Sequence, residues 1–330
     1  EFTSTLFNSH WEQKELKQRM RFIAMHLHVY LPKEYKKAIS ILKKTFELFP
    51  SGFGLENTIF QDYVEVYGKN DFNTSLSALE CFTINSTSEF AIRQFILAYP
   101  QKTMLQMQKW AKHENHQIRR LASEGCRPRL PWAIALQDFI KDPQEVIKII
   151  EILLDDESIY VRKSVANSLN DISKDNPNII KTLVPQWFKE NKKREWLLKH
   201  ACRTLLKKSD IDTLELFGFH DSKHIHLHNF QIDETVAMGE KVNFSFKLES
   251  TKTLGKLRVE FVVSFLRKNN TYNKKVFHLA QGVYKSNSKE FSKYYSFKPI
   301  STRSYYAGTQ EVSIQVNGRV LATQQFFLSD

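Results

Sequence analysis

One carboxylate, Glu124, lies in the stretch LASEGCRPRLPWAIAL, with two arginines just before the stretch and two within it. Arg119 and Arg120 precede Glu124, and Arg127 and Arg129 follow it. The apolar periodicity places Glu124 late in a helix that the following glycine and proline end, where the helix dipole disfavours an anion. Such a costly placement indicates a carboxylate kept for its chemistry. An ion pair with Arg127 is the structural alternative.

Four other acids of the same region are candidates for chemistry: Asp155, Asp156, Glu157 and Asp171. The first three lie where the N-cap of the next helix belongs, so helix capping is their structural alternative. In the segment VANSLNDISK, Asn167 and Asp171 favour structural hydrogen bonds between helices. Asp156 is the acid of this group that we select as a second reactive carboxylate.

Basic residues lie between two tryptophans in WFKENKKREW: Trp187, Lys189, Lys192, Lys193, Arg194 and Trp196. This pattern predicts contacts to phosphates, with one tryptophan against a base or a sugar. A solvated loop and helix face is the alternative. The coincidence with a basic middle segment favours the first interpretation.

Three alternating histidines, His224, His226 and His228, would share one face of a strand and could bind a metal. No acid or cysteine stands beside them with a ligand-like spacing, and an exposed strand edge explains them equally well. We therefore expect no metal site and no cofactor.

The net charge of +12 is unevenly distributed. Residues 105–208 carry 20 Lys and Arg against 13 Asp and Glu, and residues 219–330 carry 16 against 9. Residues 1–104 are almost neutral, with 12 against 11. An uneven basic footprint indicates a polyanionic partner, with nucleic acid ahead of a membrane surface.

Cys81, Cys126 and Cys202 are too few and too scattered for a disulfide framework or a zinc site. They are expected to be small buried hydrophobic residues in a reducing compartment. The sequence shows no run of 18 apolar residues and no secretory leader, so the expectation is a soluble, cytoplasmic protein.

A helical pattern runs from Trp11 to about Phe217, with brief polar or proline-containing turns. Related phrases recur in it: EFAIRQFI, HQIRRLAS, IYVRKSVA and EWLLKHAC. Their spacing predicts a solenoid of HEAT-like helical repeats over residues 1–218. The aligned cations Arg93, Arg119, Arg162 and Lys199 should then line one groove. The alternative is that each cation binds an acid of the preceding turn.

The period changes from helical to alternating after Gly218. KVNFSFKLES and KLRVEFVVSF read as strands, and EVSIQVNGRVLAT reads as a hairpin around Asn317-Gly318. About seven strands in roughly 110 residues predict an immunoglobulin-like β-sandwich over residues 219–330, without the cysteine pair of antibody domains.

Several segments resemble the bacterial AlkC family of DNA alkylation repair glycosylases: IRRLASEGCRPRLPWA, DESIYVRKSVANSLNDISKDNP and WLLKHACRTLLKK, with ELKQRMRFIAMHLHVYLP and STSEFAIRQFI upstream. The similarity runs through most of residues 11–218. The stretch TRSYYAGTQEVSIQVNG resembles the longer members of that family, which carry an immunoglobulin-like domain. Cys126 departs from the pattern, where threonine or another small residue is expected.

The resemblance implies a monofunctional glycosylase that hydrolyses the N-glycosidic bond of cationic N-alkylated bases. The chief substrate would be 3-methyladenine, with 3-methylcytosine as a second candidate. It further implies that the helical repeats grip the duplex without fully extruding the lesion, unlike most enzymes that act on bases. The implied partner is double-stranded DNA containing alkylated bases, bound by a monomer in the bacterial cytoplasm.

A 3-alkylated purine is already a cationic leaving group, so the enzyme must stabilise an oxocarbenium-like sugar and supply a water. We assign these roles to Glu124, with Asp156 as the second acid near the sugar. Trp132 would stack on the sugar or the cationic base. The expected DNA-binding residues are Arg119, Arg127, Arg129, Trp132, Tyr160, Arg162, Lys163, Trp187, His200, Arg203, Lys207 and Arg303.

The rival interpretation is a non-catalytic HEAT-repeat scaffold that binds nucleic acid or protein. It explains the repeats and the charge, but not an acid placed among arginines. The catalytic interpretation requires Glu124, Asp156 and Trp132 to converge in one concave groove.

Overall fold

The computed structural model describes residues 2–7, 10–49, 54–301 and 303–330. The chain divides into two compact units, residues 1–202 and 203–330. Within the described residues the first unit contains these helices: α1 (Phe2–Leu6), α2 (Leu16–Tyr30), α3 (Tyr35–Glu47), α4 (Thr58–Tyr67), α5 (Phe72–Thr83), α6 (Ile92–Ala98), α7 (Pro100–Trp110), α8 (His116–Gly125), α9 (Gln137–Lys141), α10 (Gln144–Leu153), α11 (Ile159–Asp175), α12 (Pro177–Glu190) and α13 (Glu195–Ala201).

Local sequence accounts for where the central helices begin. Asn115 caps α8 by accepting a hydrogen bond from the Gln117 amide at 2.8 Å. Pro100 and Pro177 occupy the first positions of α7 and α12, where a missing amide proton costs nothing. The helices bury their apolar faces together, so the core of the first unit runs along the stack.

Helix α11 packs against α8 on one side and α13 on the other. The His116 and Tyr160 rings are in contact near the starts of α8 and α11, and Arg127 meets Asp171 near their ends. The two helices therefore run in the same direction, as successive inner helices of a repeat array do.

The second unit begins with two short helices, α14 (Arg203–Lys207) and α15 (Ile211–Leu216). In its described residues the strands are β1 (Ile225–Ile232), β2 (Thr235–Ala237), β3 (Lys241–Ser250), β4 (Gly255–Leu266), β5 (Tyr272–Tyr284), β6 (Ser288–Ser296), β7 (Gly308–Val316) and β8 (Arg319–Ser329). They form a sheet of order β1-β3-β6 and a sheet of order β2-β8-β7-β4-β5.

A phenylalanine-rich core fills the space between the two sheets, including Phe244, Phe261 and Phe297. The predicted hairpin is confirmed, because Val316 pairs with Arg319 across Asn317 and Gly318. Both turn residues have positive φ, 47° and 84°, which the type I′ hairpin requires.

A helical unit followed by an immunoglobulin-like sandwich confirms the predicted fold class. Helices α14 and α15 belong to the same compact unit as the strands. Gln315 donates a hydrogen bond to the Ser209 hydroxyl at 2.8 Å, and Leu214 lies against Gly318. The division at Cys202 thus comes before the boundary expected at Gly218. The ranges 1–218 and 219–330 remain a prediction about domains.

Candidate active site

The last turn of α8 carries Glu124 into the interior of the first unit. Its side chain is only 6% exposed. The following Gly125 permits close packing, since a Cβ there would lie 2.6 Å from Ile92 and 2.8 Å from Met107. Glu124 is therefore fixed by its helix and by the neighbouring repeat.

A chain of alternating charges surrounds this carboxylate. The Arg127 guanidinium bonds Glu124 Oε1 at 2.6 Å and Asp171 Oδ2 at 2.9 Å. Arg120 lies 3.5 Å from the same Oε1 and forms a close ion pair with Glu89. The side chains of all five residues are at most 14% exposed. Buried charges of this kind must remain paired, so the network is a single unit.

The network keeps its arginines protonated. Burial lowers the pKa of Arg127, but the carboxylates of Glu124 and Asp171 outweigh it and the net pKa is raised. For Arg120 the same burial is outweighed by Glu124 and Glu89, and its pKa is also raised. Two fixed cations therefore face Glu124 at neutral pH.

Both ion pairs of Glu124 fall on Oε1. Among the described residues no hydrogen bond occupies Oε2. Oε2 is thus the atom of this carboxylate that can accept a proton from water or face a developing positive charge.

Asp156 occupies a different setting. Arg119 binds its carboxylate through Nε at 2.6 Å and Nη2 at 3.1 Å. Oδ1 also accepts a hydrogen bond from the Ser158 amide at 2.8 Å, at the start of α11. These contacts favour the helix-start alternative. The structure brings Asp171, rather than Asp156, into the network of Glu124.

Two of the predicted DNA-binding cations, Arg119 and Arg162, already donate hydrogen bonds to acceptors within the protein. Arg119 donates to the carbonyls of His113 and Glu114 besides Asp156, and Arg162 donates to those of Asp156 and Glu157. Arg162 thus binds the turn before its helix through backbone oxygens, whereas Arg119 binds backbone oxygens of the turn before its helix and also the carboxylates of Asp156 and Glu157. Of the predicted DNA contacts, Arg129, Trp132, Lys163 and Lys207 are exposed, Tyr160, Arg162, His200, Arg203 and Arg303 are half-buried, and Arg119, Arg127 and Trp187 are buried.

Two expectations for the groove need correction. Arg93 is completely buried and cannot line a surface, because its guanidinium binds carbonyls in the interior. Trp187 is 4% exposed because it continues the apolar stripe of α12 with Ile180 and Val184, so it cannot meet a base or a sugar.

The exposed ring of the basic segment is Trp196, at 45%. It lines a cavity of about 480 Å³ at the starts of α11 and α13, beside Ile159, Arg162 and Lys193. Behind it, the His200 ring lies 5.7 Å from the Trp196 ring and bonds Asn167 at 3.1 Å. Cations and an open aromatic ring therefore coincide on this side of the repeats, as phosphate and base contacts require.

The loop after α8 presents Trp132 to solvent. This residue is 76% exposed and has a φ of 62°, a left-handed conformation that costs a non-glycine residue about 1–2 kcal/mol. Cys126 opens the loop as a buried thiol that donates to the Ala122 carbonyl at 3.1 Å. Burial raises the pKa of that thiol to about 12.

In the second unit, Arg303 donates to the Tyr295 hydroxyl at 2.8 Å and lies 4.3 Å from the Phe265 ring. Burial lowers the pKa of Lys275, and the positive charges of Arg303 and Lys207 lower it further. The second unit thus has its own cluster of like charges, which favours an anion.

The histidines do not form a metal site in the part of the chain that the structure describes. His226 and His228 point outward from β1, and His228 lies 3.6 Å from Glu249. The strand-edge interpretation accounts for them.

Comparison with known proteins agrees with this architecture. Residues 81–205 match the family model described as DNA alkylation repair enzyme, and residues 226–330 match the C-terminal Ig-like domain of the uncharacterised protein YhaZ. The uncharacterised protein YhaZ of Bacillus subtilis (strain 168) is 40% identical over 327 residues, 98% of this chain and 90% of the relative.

A solved structure of alkylpurine DNA glycosylase AlkC from Pseudomonas fluorescens, bound to DNA containing an abasic site analog, is also similar. It matches with a TM-score of 0.94 at 34% identity, over 100% of this chain and 92% of that one. Fold and site thus define a helical-repeat protein of DNA alkylation repair with an immunoglobulin-like unit. The chain belongs to the AlkC family.

Among the residues described, every helix is too short or too polar to cross a bilayer.

Proposed function

We propose that the protein excises cationic N-alkylated bases from duplex DNA by hydrolysing the N-glycosidic bond. The substrates are 3-methyladenine and, as a second candidate, 3-methylcytosine. Family membership supports the reaction class, and the buried carboxylate of Glu124 supports the mechanism. The geometry of Glu124 is the observation on which the proposal rests.

Glycosidic cleavage of a cationic base needs no general acid, because the departing base takes the bond electrons as a neutral molecule. Positive charge develops on the sugar instead. A carboxylate facing that sugar stabilises the charge, and an electrostatic group of this kind acts most strongly where water is excluded. Oε2 of Glu124 serves this role while Arg120 and Arg127 hold the carboxylate in place through Oε1.

The same oxygen orients the water that attacks the sugar and accepts its proton. One carboxylate thus performs both tasks, and the products are a free base and an abasic site. No lysine is assigned to attack the sugar, consistent with a monofunctional hydrolase.

Exposed and half-buried cations on α11, in the turn before α13 and at the start of α14 contact the phosphates on either side of the lesion: Arg162, Lys163, Lys193 and Arg203. Their interaction with the backbone fixes the register of the duplex, and it carries no sequence information. The lesion is reached without full extrusion of the nucleotide, as the family resemblance implies.

Asp156 remains the predicted second acid, but its contacts with Arg119 and the Ser158 amide support a structural role. Asp171 is the acid that shares an arginine with Glu124, and it supports the network from behind. Glu124 is therefore the principal catalytic carboxylate in this proposal.

The direct test is incubation of the protein with duplex DNA containing 3-methyladenine or 3-methylcytosine under single-turnover conditions. We expect release of the free base and formation of alkali-labile abasic sites, with no strand cleavage by the protein itself. Tight DNA binding without base release would instead establish the scaffold interpretation.

A further inference from the structure

A cavity of about 270 Å³ lies at one end of the sandwich, where three connections of the second unit meet. These connections are the segment before β1, the loop between β3 and β4, and the turn between β7 and β8. The residues that line the cavity include His220, His224, Lys252, Lys256 and Asn317. The proposed reaction assigns no role to this cavity.

Positive charge accumulates around His224. Burial lowers the pKa of its imidazole, and the charge of Lys252 lowers it further. Arg319 and His226 act in the same direction, whereas Asp221 opposes them. Cations that lie close together repel one another, and a bound anion relieves that repulsion. The field at this end of the sandwich therefore favours an anion.

The acid that lines the cavity already has a cation. Asp221 pairs with the Lys223 ammonium at 3.0 Å, and its Oδ1 accepts a hydrogen bond from the Lys223 amide at 2.9 Å. Lys252 differs, because in the described part of the second unit its Nζ has no ion pair and no hydrogen-bond acceptor. Lys252 is also exposed, so its ammonium can bind an anion from solution.

A glycine makes room for a second ammonium beside the cavity. Gly218 has a φ of 78°, which strains any residue with a side chain. A Cβ at this position would lie 3.4 Å from Cδ and 3.5 Å from Nζ of Lys256. The same Nζ lies 5.4 Å from the centroid of the Phe219 ring. The chain of Lys256 is thus held against the segment before β1, with its charge at the cavity.

The size of the cavity limits the ligand. About 270 Å³ is less than the roughly 300–1,000 Å³ of pockets that bury a drug-sized molecule. Ile225, Leu254 and Leu257 line it and are buried, so the charged groups lie toward solvent. Lysines bind phosphate as compact point charges. One phosphate group, free or on a small substituent, fits both the charge and the size.

We propose that this cavity binds a single phosphate group, with Lys252 and Lys256 supplying the charge and His224 an imidazole N–H. The phosphate belongs to a small free anion or to a nucleic acid backbone, since both present the same oxygens. The inference does not rest on base excision.

The test uses the full chain and inorganic phosphate, with sodium chloride at equal ionic strength as the reference. Phosphate should shift the imidazole resonance of His224, which is identified as the signal that His224→Gln lacks. A ligand that binds only the folded state also raises the melting temperature, in a manner that saturates with its concentration. Lys252→Gln should weaken phosphate binding about tenfold, the scale of one lost charge-assisted hydrogen bond.

Lys268→Gln is the matched control. Lys268 is an exposed lysine in the turn between β4 and β5, and it does not line the cavity. Both variants lose one exposed cation of the second unit, so an effect of net charge alone would be the same in both. Only Lys252→Gln should lose phosphate affinity, and Lys252→Arg should recover most of it, with melting temperatures in chloride unchanged.

Titration of duplex DNA identifies the source of the phosphate. A loss of phosphate binding in Lys252→Gln with DNA affinity equal to that of Lys268→Gln assigns the cavity to a small free phosphate. A selective loss of DNA affinity in Lys252→Gln assigns it to a backbone phosphate. A His224 resonance that phosphate does not move, or equal phosphate affinity in the two lysine variants, would overturn the site. None of these results depends on release of alkylated bases.

Discussion

At the level of single residues, Glu124 carries the strongest expectation. Glu124→Gln keeps the shape and removes the charge, and Arg120 and Arg127 retain Glu89 and Asp171 as partners. The single-turnover rate should fall by about 10²–10³, the usual cost of losing one preorganised electrostatic group. DNA affinity should be unchanged or slightly higher, because a negative charge near phosphates is gone.

Glu89→Gln is the matched control, because it removes the other carboxylate bound to Arg120. Both variants should lose similar stability in thermal unfolding, whereas only Glu124→Gln should lose most of its rate. A folded Glu124→Gln protein that releases 3-methyladenine at the wild-type rate removes Glu124 from the mechanism.

Asp156→Asn tests the second acid. The Asp156 carboxylate pairs with Arg119 and accepts a hydrogen bond from the Ser158 amide at the start of α11, so its loss should lower the melting temperature. Removing one partner of a buried ion pair typically costs about 3–5 kcal/mol. At temperatures well below the melting temperature, the excision rate of Asp156→Asn should stay within a few-fold of wild type. A loss of rate as large as that of Glu124→Gln would show that Asp156 acts on the sugar as a second catalytic acid.

The sequence pointed to Glu124 and to its ion pair with Arg127, but not to Asp171 or Glu89 as further members of the network. A helix position and its dipole can be read from neighbouring residues, whereas Arg127 reaches Asp171 across 44 positions. That contact depends on the register between α8 and α11, which no local spacing encodes. The burial of Trp187 could have been predicted from the sequence, because Ile180, Val184 and Trp187 repeat at helical spacing and form one buried stripe.

At the level of elements, α11 should contribute to DNA affinity through its outward face. Lys163→Gln removes an exposed cation, so the slope of log K against log salt should become shallower by about 0.9. The control is Lys148→Gln on α10, whose ammonium already pairs with Glu145 at 2.5 Å. Equal slopes for the two variants between about 50 and 200 mM salt would place the DNA elsewhere.

The repeat pattern predicted which helices form, but it treated all aligned cations alike. Arg119 and Arg162 donate hydrogen bonds to carbonyls of the turn before their helices, whereas the side chain of Arg93 points into the interior. It shares the buried face of α6 with Ile92, Phe95 and Ile96. Helical spacing alone cannot distinguish an arginine that lines a groove from one that is buried and donates hydrogen bonds to the carbonyls of a loop distant in sequence.

At the level of the whole molecule, basic charge occurs in both units, but the buried acid–arginine network around Glu124 lies in the first. Lys207→Gln in the second unit should weaken DNA binding and reduce its salt dependence without changing the single-turnover rate at saturating protein. Because Lys207 and Arg303 repel the charge on Lys275, the melting temperature should not fall. Lys285→Gln, another exposed lysine of that unit, is the control. A slower rate at saturation would give the second unit a part in the chemistry.

The burial of Cys126 has a consequence for survival of the protein under chemical stress. Methylating agents that damage DNA also attack thiolates, and the reactive form of cysteine is the thiolate. With its pKa at about 12 and no exposed surface, this sulfur stays protonated and out of reach beside Glu124. The folded chain is thereby protected at this position from the same electrophiles whose products its family removes from DNA.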